Sequence, residues 1–172
     1  MTLDQTIQVW DAVGNWLAGA ATVAAVIISL RLARRAERIR LRTNVGLRLV
    51  FAGDGTPAEE HVAFVVVILG DRPVTVNSIG WRVGKGKDRR MGLQPVYGQY
   101  TEQYPKQLAH GEQATFMVSL MVIPSWPREF ATDFVKSSRL STLRALIHTS
   151  VGETIEVVPE PDLLKKLFEL SS

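Results

Sequence analysis

Hydrophobic positions along this chain fall into two regimes. Residues 12–30 form a run without a single charge, whereas from Thr43 onward apolar residues sit in short stretches divided by Gly, Pro and Asp. The first regime predicts one helix. Its 19 residues, at about 1.5 Å of rise each, give roughly 28 Å, close to the ~30 Å hydrocarbon thickness of a bilayer. The second regime predicts strands. Val45, Leu47 and Leu49 alternate with Gly46 and Arg48, and Phe51 closes the first strand. Residues 61–69 are densely β-branched, as expected of a central strand buried on both faces. Residues 74–83, 114–122, 143–149 and 154–158 continue the pattern, with turn signals at 53–57, 70–73 and 150–153. Two stretches break it: 126–138 has helix-compatible spacing behind Pro124 and Pro127, and 162–170 reads as a short amphipathic helix.

Strands with turn signals between them, and no strand–helix alternation, predict a mainly β, antiparallel fold behind a single N-terminal transmembrane helix. The strand and turn pattern is similar to the immunoglobulin-like sandwich class found behind many bacterial membrane anchors, without its paired cysteines. The strand pattern itself allows an antiparallel sandwich or a small barrel, and the resemblance implies the immunoglobulin-like sandwich. The expected organisation is a short extracytoplasmic N-terminus (1–11), the span (12–30), a basic juxtamembrane helix (31–42) and a cytoplasmic β domain with a short C-terminal helix (43–172).

Charge sharpens the picture of the anchor. Residues 1–42 hold six Arg against Asp4, Asp11 and Glu37, whereas residues 43–172 hold 14 cationic and 14 acidic side chains. All of the net charge of +3 therefore sits beside the apolar run. A neutral domain lacks the basic footprint that phosphate-backbone binding needs, so no nucleic-acid partner is expected. Arg31, Arg34, Arg35 and Arg38 follow the span, and Trp10 and Trp16 stand at its other end, which suits contact with lipid headgroups on both flanks. The one-sided arginines predict an inner-membrane, single-pass protein with its N-terminus outside and its C-terminal domain in the cytoplasm. A cleaved signal peptide would carry its cations before the apolar run. Within the span, Asn15, Thr22 and Ser29 recur every seven residues with Ala18 and Ala25 between them. Such a small, weakly polar seam suits contact with the helix of another membrane subunit or of a second copy.

Candidate chemistry is sparse. The absence of cysteine removes disulfides, thiolate metal sites and cysteine nucleophiles. His61, His110 and His148 have no companion at metal-ligand spacing, no G-x-S-x-G elbow occurs, and Glu59-Glu60 are adjacent in sequence and not opposed across a cleft. Neither an enzyme nor a cofactor is expected. Lys85, Lys87, Arg89 and Arg90 make a basic turn that offers an anion contact but lacks the spacing of a phosphate-cradling loop. All three tyrosines, Tyr97, Tyr100 and Tyr104, fall within eight residues among glutamines, a composition typical of protein interfaces; with Trp126 they are the candidate partner-binding residues. The expected function is an accessory or scaffold subunit whose helix docks in a membrane assembly and whose β domain binds a cytoplasmic protein. The other expectation is a sensor-effector whose β domain binds a phosphorylated small ligand and drives helix association in the membrane.

Overall fold

In a computed structural model of the chain, residues 3–36, 39–51, 53, 57–121 and 125–171 are described. The chain divides into two compact units, Met1–Arg38 and Ile39–Ser172. The first unit is one helix, α1 (Leu3–Ala36), of 34 residues. Its stretch Trp16–Ala33 is long and apolar enough to cross a membrane, and none of that stretch is buried within the chain. Along the seam, the Thr22 hydroxyl donates to the Ala18 carbonyl at 2.9 Å, so it is satisfied within its own helix. Arg38, and the side chains of Trp10, Asn15, Arg34 and Arg35, lie outside the described residues.

Helix and strand boundaries differ from expectation at both ends of the anchor. Helix begins at Leu3, within the segment expected to be a short terminus. Leu41 and Arg42, expected to finish the juxtamembrane helix, instead open the first strand, opposite Ile68 and Val67. The reason is pairing: β2 extends far enough to offer these two residues a ladder, and that outweighs their helix propensity.

The second unit is mainly antiparallel β, in two sheets. Its strands are β1 (Leu41–Val50), β2 (Glu59–Ile68), β3 (Val74–Val83), β4 (Arg90–Gln94), β5 (Lys106–Leu108), β6 (Gln113–Ser119), β7 (Arg144–Thr149) and β8 (Thr154–Val157). One sheet has the order β1-β2-β6. The other has the order β4-β3-β7-β8, with β5 also on β3. Among the described residues the sheets do not close into a barrel. Both contribute to one core. Val62, Phe64, Val66 and Ile68 share one buried cluster with Ile79, Trp81 and Ile147, and the Phe64 and Trp81 rings meet edge to face with centroids 4.9 Å apart. In β3 the buried set runs Val74, Val76 and then Ile79, Trp81, Val83. A register shift between Val76 and Ser78 inserts the extra residue that keeps both halves facing inward. Strand β2 is buried on both faces only from His61 to Phe64, and Val65 and Val67 are half-exposed.

Segment 84–113, without a strand signal of its own, contains β4 and β5. Both lie on the same side of β3, β5 against its start and β4 against its end. Between them the chain leaves that edge, crosses to β6 and returns. Tyr97 bridges to Val118, the Glu102 amide donates to the Thr115 carbonyl at 3.1 Å, and the Met117 amide donates to Thr101 Oγ1 at 2.9 Å. The excursion thus satisfies part of the open edge of β6, which β2 pairs on one side only.

At the other end of the chain, Pro127 sits inside the four-residue helix α2 (Trp126–Glu129), which runs into a π-helical stretch, Phe130–Val135, and then a 3-10 turn, Ser137–Thr142. The rings of Trp126, Phe130 and Phe134 stack in series at 5.0 and 5.3 Å, and Phe130 also meets Trp81 at 5.1 Å. Helix α3 (Pro161–Ser171) buries Leu163 and Leu167.

Just before α3, Glu160 folds back over β1. Its carboxylate takes two bonds of 2.7 Å from the Arg48 guanidinium, in the space that a Cβ on Gly46 would fill. The Arg48 bond holds the Glu160 carboxyl below the usual carboxylate range, against a smaller opposing push from burial. A depressed folded pKa contributes stability that is complete above the unfolded pKa and is lost as pH falls through the folded one. Both side chains are about a third exposed, so solvent screening limits the pair to about 1 kcal/mol. Glu160→Gln is therefore expected to cost about that much at neutral pH. Urea titrations followed by circular dichroism at pH 7 and pH 3 check this, with the variant and the parent converging in acid.

Candidate functional site

The start of β2 and the end of β6 meet on the face of their sheet turned away from the core. His61 stands directly opposite Ser119 and Ala63 opposite Met117. His61 and Ser119 are 4% and 6% exposed, an unusual depth for two polar groups. What covers them is the excursion between β4 and β5. The Tyr100 ring stands edge-on to His61, with centroids 6.1 Å apart and planes at 85°. Tyr97, Gly98, Gln99 and Thr101 complete a recess of about 180 Å³ with Glu59, Met117 and Ser119. A shallower recess adjoins it, sharing Gln99, Tyr100 and Thr101 and adding Glu102, Gln113 and Thr115. The larger hollow of about 730 Å³ along Trp16, Gly19 and Val23 is the open side of α1, a surface and not a cavity.

Within the recess, His61 is oriented by its own strand. Its Nδ1 lies 3.2 Å from the Glu59 carbonyl and its Nε2 lies 3.8 Å from the Glu59 carboxylate. Both ring nitrogens are turned to one residue, which holds the imidazole in place. Three polar side chains therefore converge beneath two tyrosines, and the floor is made of two paired strands. Such a floor is rigid in a way that a free loop is not.

The structure brings some of the expected residues together and separates others. Tyr97 and Tyr100 line the recess and are 58% and 36% exposed. Tyr104 does not join them. Its ring packs on Phe116 at 5.5 Å, its hydroxyl donates to the Gln94 carbonyl, and burial pushes its phenol up, with a smaller contribution from Tyr97. Trp126 is half-buried in the aromatic stack. Lys85, Lys87 and Arg89 are exposed on a turn around the 3-10 segment Gly86–Asp88. That turn is tied to the segment before β7: Gly84 N donates to Thr142 Oγ1 at 2.8 Å, and Arg90 Nη1 donates to the Asp133 carbonyl at 3.1 Å.

Sequence reading passed over His61, Ser119 and Glu59 as site residues. His61 and Ser119 are far apart in the chain, and only the β2–β6 register makes them neighbours. Among the described residues, no group of three or more His, Asp or Glu side chains is arranged to hold a metal.

No family model and no curated protein matches the chain. Two solved structures are weakly similar to it. One is the crystal structure of a Bordetella pertussis protein provisionally named ApaA, 19% identical, covering 69% of this chain and 87% of its own, at a TM-score of 0.33. The other is the X-ray structure of a structural-genomics target, SoR45, 11% identical, covering 72% of this chain and 81% of its own, at a TM-score of 0.26. Likeness at this level carries no functional argument.

Proposed function

We propose that the chain is a membrane-anchored accessory subunit, not an enzyme, whose β domain holds a partner protein at the recess under Tyr97 and Tyr100. The observation that carries this reading is the placement of these rings: both are exposed, and both stand over a floor of paired strands. Aromatic anchors on a rigid base are what protein interfaces concentrate their binding energy on. The sheets are read as an immunoglobulin-like sandwich. The helix α1 is read as the span, because its apolar residues face outward on every described side and an arginine-rich segment follows. The orientation is N-terminus out and β domain in the cytoplasm of a bacterial inner membrane, and the seam of Asn15, Ala18, Thr22, Ala25 and Ser29 is the surface for a neighbouring membrane helix.

Two measurements test the reading. Alkaline phosphatase fused after Ser172 should be inactive and a cytoplasmic reporter active there; the reverse result removes the orientation. Gentle-detergent co-purification with mass spectrometry should recover a protein partner that the Tyr97→Ala, Tyr100→Ala variant loses. A second reading, a sensor for a phosphorylated ligand, is favoured by one observation. The bonds from Gly84 and Arg90 draw Lys85, Lys87 and Arg89 toward the segment that carries Lys136 and Arg139. It predicts that Lys85→Ala with Lys87→Ala, and not the tyrosine variants, removes function.

A further inference from the structure

The charge inside the recess points to what enters it, and this step rests on the docking reading above. Neither hollow has a lysine or arginine in its lining, whereas Glu59 belongs to one and Glu102 to the other. Glu102 is engaged, paired with Lys106 at 3.0 Å. Next to Glu59, Glu60 is also engaged, by Lys166 from the opposite face of the strand. Glu59 differs. Within ion-pair distance it meets only the His61 ring among the described residues, at 3.8 Å, and its side chain is 47% exposed; Arg48, opposite His61 on β1, is taken by Glu160. A carboxylate therefore stands at the wall of a small hollow, beside two tyrosine rings and a buried imidazole, with no lysine or arginine lining the hollow or within ion-pair distance of it among the described residues.

That combination selects for a flat cation. Tyrosine faces attract a positive charge through the ring quadrupole, and a guanidinium is weakly hydrated, stacks on aromatic planes and offers forked donors to a carboxylate. Gln99 supplies a further acceptor oxygen at the same volume, while the Thr101 and Ser119 hydroxyls already accept from the Met117 and Met121 amides. At about 180 Å³ the hollow suits the head of one side chain and not a folded ligand of drug size. We propose that the recess is a socket for an arginine side chain presented by the partner protein, with Glu59 as the counter-charge and Tyr97 and Tyr100 as the walls.

The chain's own composition supplies the probe. It has three tyrosines, two lining the socket and the third, Tyr104, packed on Phe116 as an internal control. The full chain, labelled with ring-¹³C tyrosine and placed in phosphatidylcholine nanodiscs, is titrated with a short neutral-flanked peptide carrying one arginine. Parallel titrations use the same peptide with lysine and with citrulline, the uncharged isostere. The expected result is movement of the Tyr97 and Tyr100 ring signals with Tyr104 still. Affinity should fall about tenfold or more from arginine to citrulline, and by a similar factor in Glu59→Gln, with lysine between. Equal shifts from citrulline, an unchanged affinity in Glu59→Gln, or still Tyr97 and Tyr100 signals at saturating arginine peptide would each overturn the socket. The citrulline comparison needs no variant, so a misfolded Glu59→Gln does not blunt the test. A partner protein that needs both tyrosines but binds Glu59→Gln as before removes the cation and leaves the docking reading standing. A partner indifferent to both tyrosines removes the docking reading itself.

Discussion

Truncating Tyr97 and Tyr100 together is expected to release the partner protein while leaving the β domain folded. Each ring is exposed, so its loss opens no cavity in the core, and the backbone bonds that fasten the excursion to β6 come from the Thr115 carbonyl, Thr101 Oγ1 and the Tyr97 main chain. An interface anchor typically contributes about 2 kcal/mol or more on truncation, a factor of about thirty in affinity, and two adjacent anchors are not additive. A loss between thirtyfold and a thousandfold is the expected range. Tyr104→Ala should behave in the opposite manner. It removes a ring packed on Phe116 and a hydroxyl bonded to the Gln94 carbonyl, so the loss appears in the melting curve, and binding changes only as far as folding does. Co-purification at matched expression, with circular dichroism on each variant, separates the outcomes. Retention of the partner by the double variant would reject the recess as the docking surface.

The larger effect on stability should come from Trp81→Ala. Trp81 is 2% exposed, meets Phe64 across the core and Phe130 from the π-helical stretch, and donates from Nε1 to Gln94 Oε1 at 3.0 Å. Deleting a buried aromatic costs about 3–5 kcal/mol, and the orphaned Gln94 oxygen adds about 1–3 kcal/mol. Against a domain stability of about 5–15 kcal/mol, that is enough to leave the β domain partly or wholly unfolded. Trp81→Phe retains most of the packing and isolates the hydrogen bond, so it should lose about 1–3 kcal/mol. Urea titrations of the full chain in nanodiscs, followed by strand circular dichroism, check both. A Trp81→Ala protein as stable as its parent would mean that the two sheets are not joined through this residue.

Both effects depend on contacts that differ in how far they could be read from the chain. Trp81, Ile79 and Val83 announce themselves by alternation, because a strand has a period of two and the core takes one face, whereas the unbroken apolar run from Val62 to Leu69 marks a strand without showing which of its faces the core takes. The step between Val76 and Ile79 is visible as well once a bulge is allowed for. Strands β4 and β5 were not readable, since Arg90–Gln94 and Lys106–Leu108 carry little apolar pattern and exist because β3 has a free edge to offer. The recess shows a similar division. Clustering marked Tyr97 and Tyr100, and the same clustering grouped Tyr104 with them, although its ring turns inward. His61 and Ser119 meet only through cross-strand register, which depends on the whole sheet and not on any local spacing.

The excursion that carries Tyr97 and Tyr100 also lies along the free side of β6, occupying backbone groups at Val118, Met117 and Thr115. The residues proposed for recognition are therefore also the ones that protect the edge. A partner that pulled this segment away would uncover a row of amides and carbonyls that accepts another extended chain, including the same strand from a second molecule. A socket built on this segment would have a ceiling on its plasticity. Variants that loosen the segment to widen ligand choice would be selected against through self-association before any loss of fold.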